Sequence, residues 1–153
     1  MGYTHYWKNM KFSRKGWKQL STLTEAVIKN LPENVKVAFE EDETDKPVEI
    51  SDKLIRFNGI GEQGHETFWL ENKRSDFSFC KTARKPYDLA VCSVLILASL
   101  LCEDGSISSD GIRDDYTDRE WLDAVIFLAD LFPITLIDRE KVFKAFENIP
   151  DIH

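Results

Sequence analysis

The sequence has no apolar stretch long enough to cross a membrane and no signal peptide. The longest nearly apolar run, residues 89–101, is shorter than the roughly 20 residues that a transmembrane helix needs. The first residues carry neither a basic start nor an apolar segment. The three cysteines are an odd number, which is typical of free thiols in a reducing compartment. We therefore expect a cytoplasmic protein with no membrane partner.

Sequence motifs for cofactors and metals are also missing. There is no P-loop and no G-x-G-x-x-G, and Gly59, Gly61 and Gly64 are spaced like hairpin glycines rather than glycines before a helix. No pair of cysteines or histidines has the local spacing of metal ligands. The sequence therefore predicts neither a cofactor nor a metal site. The net charge of −7 argues against direct binding to nucleic acid.

Residues 79–88, Phe-Cys-Lys-Thr-Ala-Arg-Lys-Pro-Tyr-Asp, are the most informative part of the chain. They end an aromatic, strand-like segment and lead into the most hydrophobic run. Proline is favoured at the first position of a helix, so Pro86 predicts a helix over 86–101. Asp88 then falls in the first turn, where a carboxylate complements the helix dipole. Because the run is apolar on all sides, we expect this helix to be buried at the centre of the fold.

The same segment brings cations to the start of that helix. Lys81, Arg84 and Lys85 arrive where free helix N–H groups also favour a negative charge. We predict a site for a carboxylate or phosphate there, with Tyr87, His5 and His65 as further binding residues. The alternative interpretation is a strand edge whose lysines point into water and discourage edge pairing.

The order of patterns predicts an α+β fold in a single domain, residues 1–153, without repeats or linkers. We expect a mostly antiparallel sheet of about four to six strands, a buried central helix and three further helices. The predicted strands cover 3–7, 35–40, 48–50, 54–57, 65–70 and 77–82, with a short extended piece near 107. The predicted helices cover 13–31, 86–101, 117–132 and 138–149.

Two motifs resemble a known group of proteins. The start Gly-Tyr-Thr-His-Tyr-Trp at residues 2–7, and Gly-His-Glu-Thr-Phe at 64–68 followed by the segment 79–88, resemble a family of small uncharacterised phage and prophage proteins. The resemblance implies a genomic setting and no particular chemistry. Small phage proteins of this sort are often counter-defence factors, so a host defence protein is one partner that the resemblance suggests.

Two residues are candidates for catalysis, although whether the chain is an enzyme stays open. Cys80 next to Lys81 and a helix N-terminus would have its thiolate favoured, and His65 has the chemistry of a general base. The alternative is that neither residue is catalytic. Cys80 would then point inward from its strand as a small core residue, and His65 would be a strand histidine that only forms hydrogen bonds.

Charge and aromatic residues complete the functional hypotheses. The aromatic residues Tyr3, Tyr6, Trp7, Trp69 and Tyr87 offer faces on which a base could stack while the cations hold phosphate. We therefore expect the chain to bind an anionic, nucleotide-like ligand, and its oligomeric state stays open. Acidic runs at 40–45 and 103–123 leave two alternatives: an inhibitor of proteins that mimics nucleic acid, or solvated faces. A small Cys/His hydrolase is a third hypothesis.

Overall fold

A computed structural model describes residues 3–74, 76–110 and 119–132 of the chain. The elements, in order, are β1 (Thr4–Lys11), α1 (Arg14–Lys29), β2 (Val37–Ala38), β3 (Glu49–Ile50), β4 (Leu54–Gly59), a 3-10 turn (Gly61–Gln63), β5 (Phe68–Glu71), β6 (Ser78–Lys81), α2 (Asp88–Leu101), β7 (Asp104–Ser109) and α3 (Arg119–Leu131). The predicted helix over 138–149 and the first two residues of the predicted helix over 117–132 lie outside the described residues.

The predicted α+β class and the antiparallel pairing are confirmed. Within the described residues the strands form two sheets, one with the order β6-β1-β7 and one in which β2, β3 and β5 all pair with β4. The chain leaves the second sheet after β5, and β6 then pairs with β1 instead. The strands predicted as a single sheet are therefore divided between two sheets, and the chain passes from one to the other between β5 and β6.

The alternation predicted for the first strand is also confirmed. Tyr3, His5 and Trp7 are buried, whereas Thr4 and Tyr6 are partly exposed. The strand β1 is central in its sheet, with His5 opposite Cys80 of β6 and Trp7 opposite Ile107 of β7. The extended piece expected near residue 107 is thus a full strand. One face of β1 consequently points into the core and the other to the surface.

The helix α1 begins as its sequence predicts. The Ser13 Oγ accepts a hydrogen bond from the Gly16 N–H at 2.9 Å, which satisfies one donor that the first turn leaves open. Phe12 and Trp17 pack edge to face before and after this cap, with ring centroids 5.2 Å apart. The Trp17 indole N–H also donates to the Ser51 carbonyl at 2.9 Å, so α1 is tied directly to the second sheet.

The helix α2 lies at the centre of the fold, as expected. All its residues from Ala90 to Ala98 are buried, and it packs against both α1 and α3. Trp17 and Trp121 belong to the same core. No helix in the described ranges is long and apolar enough to cross a bilayer.

We expect Leu95→Ala to lower the free energy of unfolding by about 2–5 kcal/mol, because it leaves a cavity in a closely packed core. Leu95 is fully buried in α2. The control is Ile126→Ala, since Ile126 on α3 is 51% exposed. Urea denaturation of both variants measures the two changes. A loss below about half a kcal/mol for Leu95→Ala would show that α2 is not the centre of the core.

Candidate functional site

The start of α2 is organised around the buried carboxylate of Asp88. The His5 Nε2 lies 2.6 Å from Asp88 Oδ1, and the Thr82 hydroxyl donates to the same oxygen. One turn further along α2, the Cys92 thiol donates to Asp88 Oδ2 at 3.4 Å. All four residues are buried. The inward face of β1, the residue after β6 and the first turn of α2 therefore meet at one carboxylate.

The pKa of Asp88 shows which charge state this cluster stabilises. Burial on its own raises that pKa, but the hydrogen bond and charge of His5 outweigh it, with further hydrogen bonds from Thr82 and Cys92. The pKa of Asp88 is therefore below its ordinary value. Because an ionised carboxylate can only accept hydrogen bonds, the His5 Nε2 carries the proton between the two residues.

His5 is held by aromatic rings as well as by Asp88. Its ring packs edge-on against Tyr3 and Trp121, with centroids 5.0 and 4.9 Å away. Among the described residues its second nitrogen, Nδ1, has no hydrogen-bond partner. His5 is therefore fixed in the core and does not reach the surface, where a ligand would bind.

The cluster combines Cys, His and Asp, but its geometry differs from that of a catalytic triad. In a triad, the nucleophile and the carboxylate bond to different nitrogens of the histidine. Here the Cys92 Sγ, at 3.5 Å, and Asp88 both lie at Nε2, and all three side chains are buried. The arrangement positions the start of α2 and gives no access to a substrate.

The same three side chains offer a donor set for a transition metal. The Nε2, Sγ and carboxylate oxygen lie within 4.8 Å of one another, and zinc binds such mixed ligands. The fit is poor, however, because the carboxylate is already occupied by three hydrogen-bond donors. In addition, the Nδ1 lacks the partner that usually orients a metal-bound histidine.

The N–H groups at the start of α2 are not available to a ligand, which corrects the prediction made from the helix N-terminus. The N–H groups of Asp88, Leu89 and Ala90 donate to the carbonyls of residues 85, 86 and 87, at 2.9, 3.4 and 2.9 Å. The helix begins two residues after Pro86 because residues 85–88 form a turn. The negative charge that complements the dipole is Asp88 itself.

The predicted cations follow one another along the chain: Lys81 ends β6, Arg84 lies in the loop after it, and Lys85 begins the turn before α2. Ala83 and Arg84 both have left-handed backbones, with φ of 53° and 58°, which is unfavourable for residues other than glycine. The N–H groups of Thr82 and Ala83 both donate to the Tyr3 carbonyl, at 3.0 and 3.1 Å. The exposed Arg84 guanidinium lies 4.2 Å from the centre of the Tyr3 ring. The loop is thus held in an unusual conformation by β1.

The remaining predicted binding residues are divided between surface and core. Lys81 and Lys85 are partly exposed, and Tyr87 is fully buried, its hydroxyl donating to the Glu66 carbonyl at 2.6 Å. His65 is exposed in the loop before β5, where Glu66 bonds to the backbone of Lys81. The structure therefore places Lys81 on the outer side of β6, Arg84 against the ring of Tyr3, and His65 next to Glu66, which pairs with the backbone of Lys81. His5 and Tyr87 are buried and act as positioning residues.

The expectation that the Cys80 thiolate would be favoured is wrong. Burial raises the pKa of Cys80 to about 12, with the charges of Glu66 and Asp88 acting in the same direction and the hydrogen bond with Tyr87 acting against them. The side chain points inward from β6 and its Sγ lies 3.5 Å from the Glu66 carbonyl. Cys80 is therefore a neutral core thiol, which is the alternative that its position in the strand indicated.

An exposed aromatic surface adjoins the cations, and the sequence only partly indicated it. Phe77 and Phe79 are each 57% exposed, and Tyr6 stacks on Phe77 with centroids 5.8 Å apart. Phe79 lies opposite Tyr6 in the sheet, two residues before Lys81. We refer to Tyr6, Phe77 and Phe79 as the aromatic face. The sequence did contain one indication of this face: in a strand, an inward Cys80 places its neighbours Phe79 and Lys81 on the outer side.

Within the aromatic face, Tyr6 is held in place by a hydrogen bond. Its hydroxyl donates to Asp110 Oδ1 at 2.8 Å, and this bond, with burial and the charge of Asp110, raises the pKa of Tyr6. Of the other aromatics considered for stacking, Tyr3, Trp7 and Tyr87 are buried, whereas Trp69 on β5 is 43% exposed. The aromatic face is therefore made by one of the five predicted aromatics and by two phenylalanines that the prediction omitted.

Neither a protein-family model, nor a curated protein, nor a solved structure matches the chain. The function is therefore inferred from the chain's own residues. Three features bear on it: the buried cluster around Asp88, the strained loop with its cations, and the aromatic face.

We expect Asp88→Asn to lower the free energy of unfolding by about 3–5 kcal/mol at neutral pH, because it breaks a buried pair. Since the pKa of Asp88 is lower in the folded than in the unfolded chain, the folded state binds fewer protons. This stabilisation is complete above about pH 4 and is lost as the pH falls through the folded pKa. Denaturant unfolding of the wild-type protein and the variant at several pH values between 7 and 3 measures this contribution. Asp45→Asn, at an exposed site, is the control. An equal loss at pH 7 and pH 3 would contradict this account.

We expect Cys80 to resist alkylation by iodoacetamide at pH 8 in the folded protein, because a thiol with a pKa of about 12 stays protonated there. Cys102 is only partly buried and should react first, which makes it the internal control. Mass spectrometry of peptides locates the label. Rapid labelling of Cys80 in the native state would restore the hydrolase hypothesis.

Proposed function

We propose that the chain binds an anionic, nucleotide-like ligand on the outer side of the β6-β1-β7 sheet, at the end of β6. In this proposal Lys81, Arg84 and Lys85 hold the phosphate and the aromatic face stacks the base. The observation that carries the proposal is that Phe79 and Lys81 lie on the same side of one strand. An exposed π-surface therefore leads directly to Lys81, the first of the three predicted cations.

The aromatic face supports the base-binding half of the proposal. Side chains as large and apolar as Phe77 and Phe79 are seldom left more than half exposed next to each other. Their centroids lie 6.2 Å apart, so a planar ring could contact both. Stacking of a base on an aromatic side chain contributes about 1–3 kcal/mol.

The loop supports the phosphate-binding half. Strained backbone conformations in non-glycine residues cluster at binding sites, and Ala83 and Arg84 are two such residues in succession. Arginine binds a phosphate through two parallel hydrogen bonds, whereas lysine acts as a point charge. Among the described residues, neither Lys81 nor Lys85 takes part in an ion pair. An anionic ligand would thus supply a counter-charge for these two lysines.

The resemblance to small phage and prophage proteins suggests a biological use for this binding. A protein that sequesters a nucleotide-like molecule would act as a counter-defence factor in the host cytoplasm, and a host defence protein remains a further proposed partner. The local cations are few and the net charge is −7, which favours one small ligand over a long nucleic acid.

The two alternative functions receive less support. The buried, protonated Cys80 disfavours a thiol hydrolase. In the first acidic run, Glu40 bonds to Arg56 and Thr67 inside the second sheet, so it is not part of a surface that mimics nucleic acid. Residues 41–45 are exposed, as a solvated face would be, and much of the second acidic run lies outside the described residues.

We expect Arg84→Ala to weaken binding of adenosine 5′-diphosphate by roughly ten- to a hundredfold, because a charge-assisted contact contributes about 1.5–3 kcal/mol. The affinity of Arg84→Lys should lie between those of the wild-type protein and Arg84→Ala, since lysine keeps the charge but loses the bidentate geometry. Calorimetric titration measures the affinities, and Lys36→Ala, at an exposed lysine elsewhere, is the control. Equal binding by Arg84→Ala and the wild-type protein would defeat the proposed phosphate contact.

A second variant separates the base from the phosphate. Phe79→Leu keeps an apolar side chain and removes the π-face, so it should weaken the diphosphate nucleotide while leaving inorganic pyrophosphate unchanged. Mass spectrometry of small molecules that co-purify with the wild-type protein would identify the natural ligand. If Phe79→Leu bound the nucleotide as tightly as the wild-type protein, the aromatic face would not be a base site.

A further inference from the structure

A groove of about 600 Å³ lies between α1 and the second sheet. Its first wall is α1, and its second is the turn after β3 together with the end of the β5 hairpin. The lining residues are Arg14, Trp17, Lys18, Ser21, Ile50, Ser51, Asp52 and Asn72. Cavities that hold small molecules have volumes of about 300–1,000 Å³, so this groove has the size of a metabolite site.

The charge on the α1 wall is positive, and no acidic residue lies near it on the helix. Arg14 and Lys18 are four residues apart, so both side chains lie on one face of the helix. No acidic residue precedes Glu25 in the sequence, and the first turn of α1 contains none, although acids are favoured there. In the described part of the chain, neither Arg14 nor Lys18 takes part in an ion pair.

The opposite wall is held in place and carries hydrogen-bonding groups. The Trp17 indole joins the two walls by its bond to the Ser51 carbonyl, at 2.9 Å. The Asn72 amide donates to the Asp52 carbonyl, also at 2.9 Å, which fixes the turn and leaves the Asp52 carboxylate exposed. On the α1 side, the buried Ser21 Oγ has no hydrogen-bond partner within the described ranges. The groove therefore presents two cations and one carboxylate.

We propose that this groove binds a small phosphate monoester that also carries hydroxyl groups, such as a sugar phosphate. Arg14 and Lys18 would hold the dianionic phosphate, because a guanidinium and an ammonium are its preferred partners. Asp52 can only accept hydrogen bonds, so it would select a ligand with hydroxyl donors over inorganic phosphate.

This site is separate from the proposed nucleotide site. A side chain at Gly16, in the first turn of α1, would meet the Leu101 carbonyl at 2.9 Å, so the groove adjoins the C-terminal end of α2. The nucleotide site lies beside the N-terminal end of α2. A helix of 14 residues separates its ends by roughly 20 Å. Each site can therefore be removed by mutation without touching the other.

The test is calorimetric titration of the full chain with glucose 6-phosphate, glucose and inorganic phosphate at constant ionic strength. We expect binding of the sugar phosphate, and a loss of at least tenfold in affinity in Arg14→Gln and Lys18→Gln. Lys29→Gln, at an exposed lysine in the last turn of the same helix, is the matched control and should bind normally. Arg84→Ala should also bind normally, since it affects only the nucleotide site.

Asp52→Asn distinguishes a phosphate monoester site from a general anion site. It should weaken glucose 6-phosphate, whereas inorganic phosphate should bind at least as tightly, because a negative charge has been removed from the groove. The proposal is overturned if the sugar phosphate binds no better than glucose, or if Arg14→Gln and Lys18→Gln bind like Lys29→Gln. It is also overturned if Arg14→Gln and Lys18→Gln lower the folding stability without changing the affinity. The two cations would then stabilise the C-terminal end of α2 rather than bind a ligand.

Discussion

The bond between His5 and Asp88 is the interaction on which the arrangement of this chain depends. It joins residues 83 positions apart in the sequence and connects the central strand of the first sheet to the start of the most buried helix. A charge in this position is costly unless it is paired and hydrogen bonded. Asp88 meets that condition through three donors, so the start of α2 has one favoured position relative to β1.

The conformation of the surface loop follows from this fixed point. Thr82 bonds to Asp88 with its side chain and to Tyr3 with its backbone, and Ala83 bonds to Tyr3 as well. The two left-handed residues that follow can therefore persist, since the residues on both sides are anchored. The buried cluster acts as a support, and the exposed cations and the aromatic face are the parts available to a ligand.

Local patterns in the sequence predicted much of the fold. The alternation in residues 3–7 placed His5 on the same side of a strand as Tyr3 and Trp7, and the apolar run after Asp88 indicated a central helix. The cap at Ser13 and its neighbouring aromatic pair were readable because they involve residues close in sequence. The same holds for the α+β class, which depends on the order of such segments.

The parts that could not be predicted depend on contacts between distant residues. Lys81, Arg84 and Lys85 were identified from their charges, but the partner of Asp88 was not, because nothing local links it to His5. The helix start was placed two residues early because Pro86 suits a turn as well as a first helical position. The groove beside α1 was missed because its second wall comes from residues 50–72.

Residue-resolved hydrogen exchange in His5→Phe tests most directly whether the His5–Asp88 bond holds the loop in place. The variant keeps a ring in the core and removes the donor to Asp88. The N–H groups of Thr82, Lys85 and Asp88, which are hydrogen bonded in the loop, should then lose far more protection than those in the middle of α2. If the loop kept its protection relative to the middle of α2, the bond would not be what positions it.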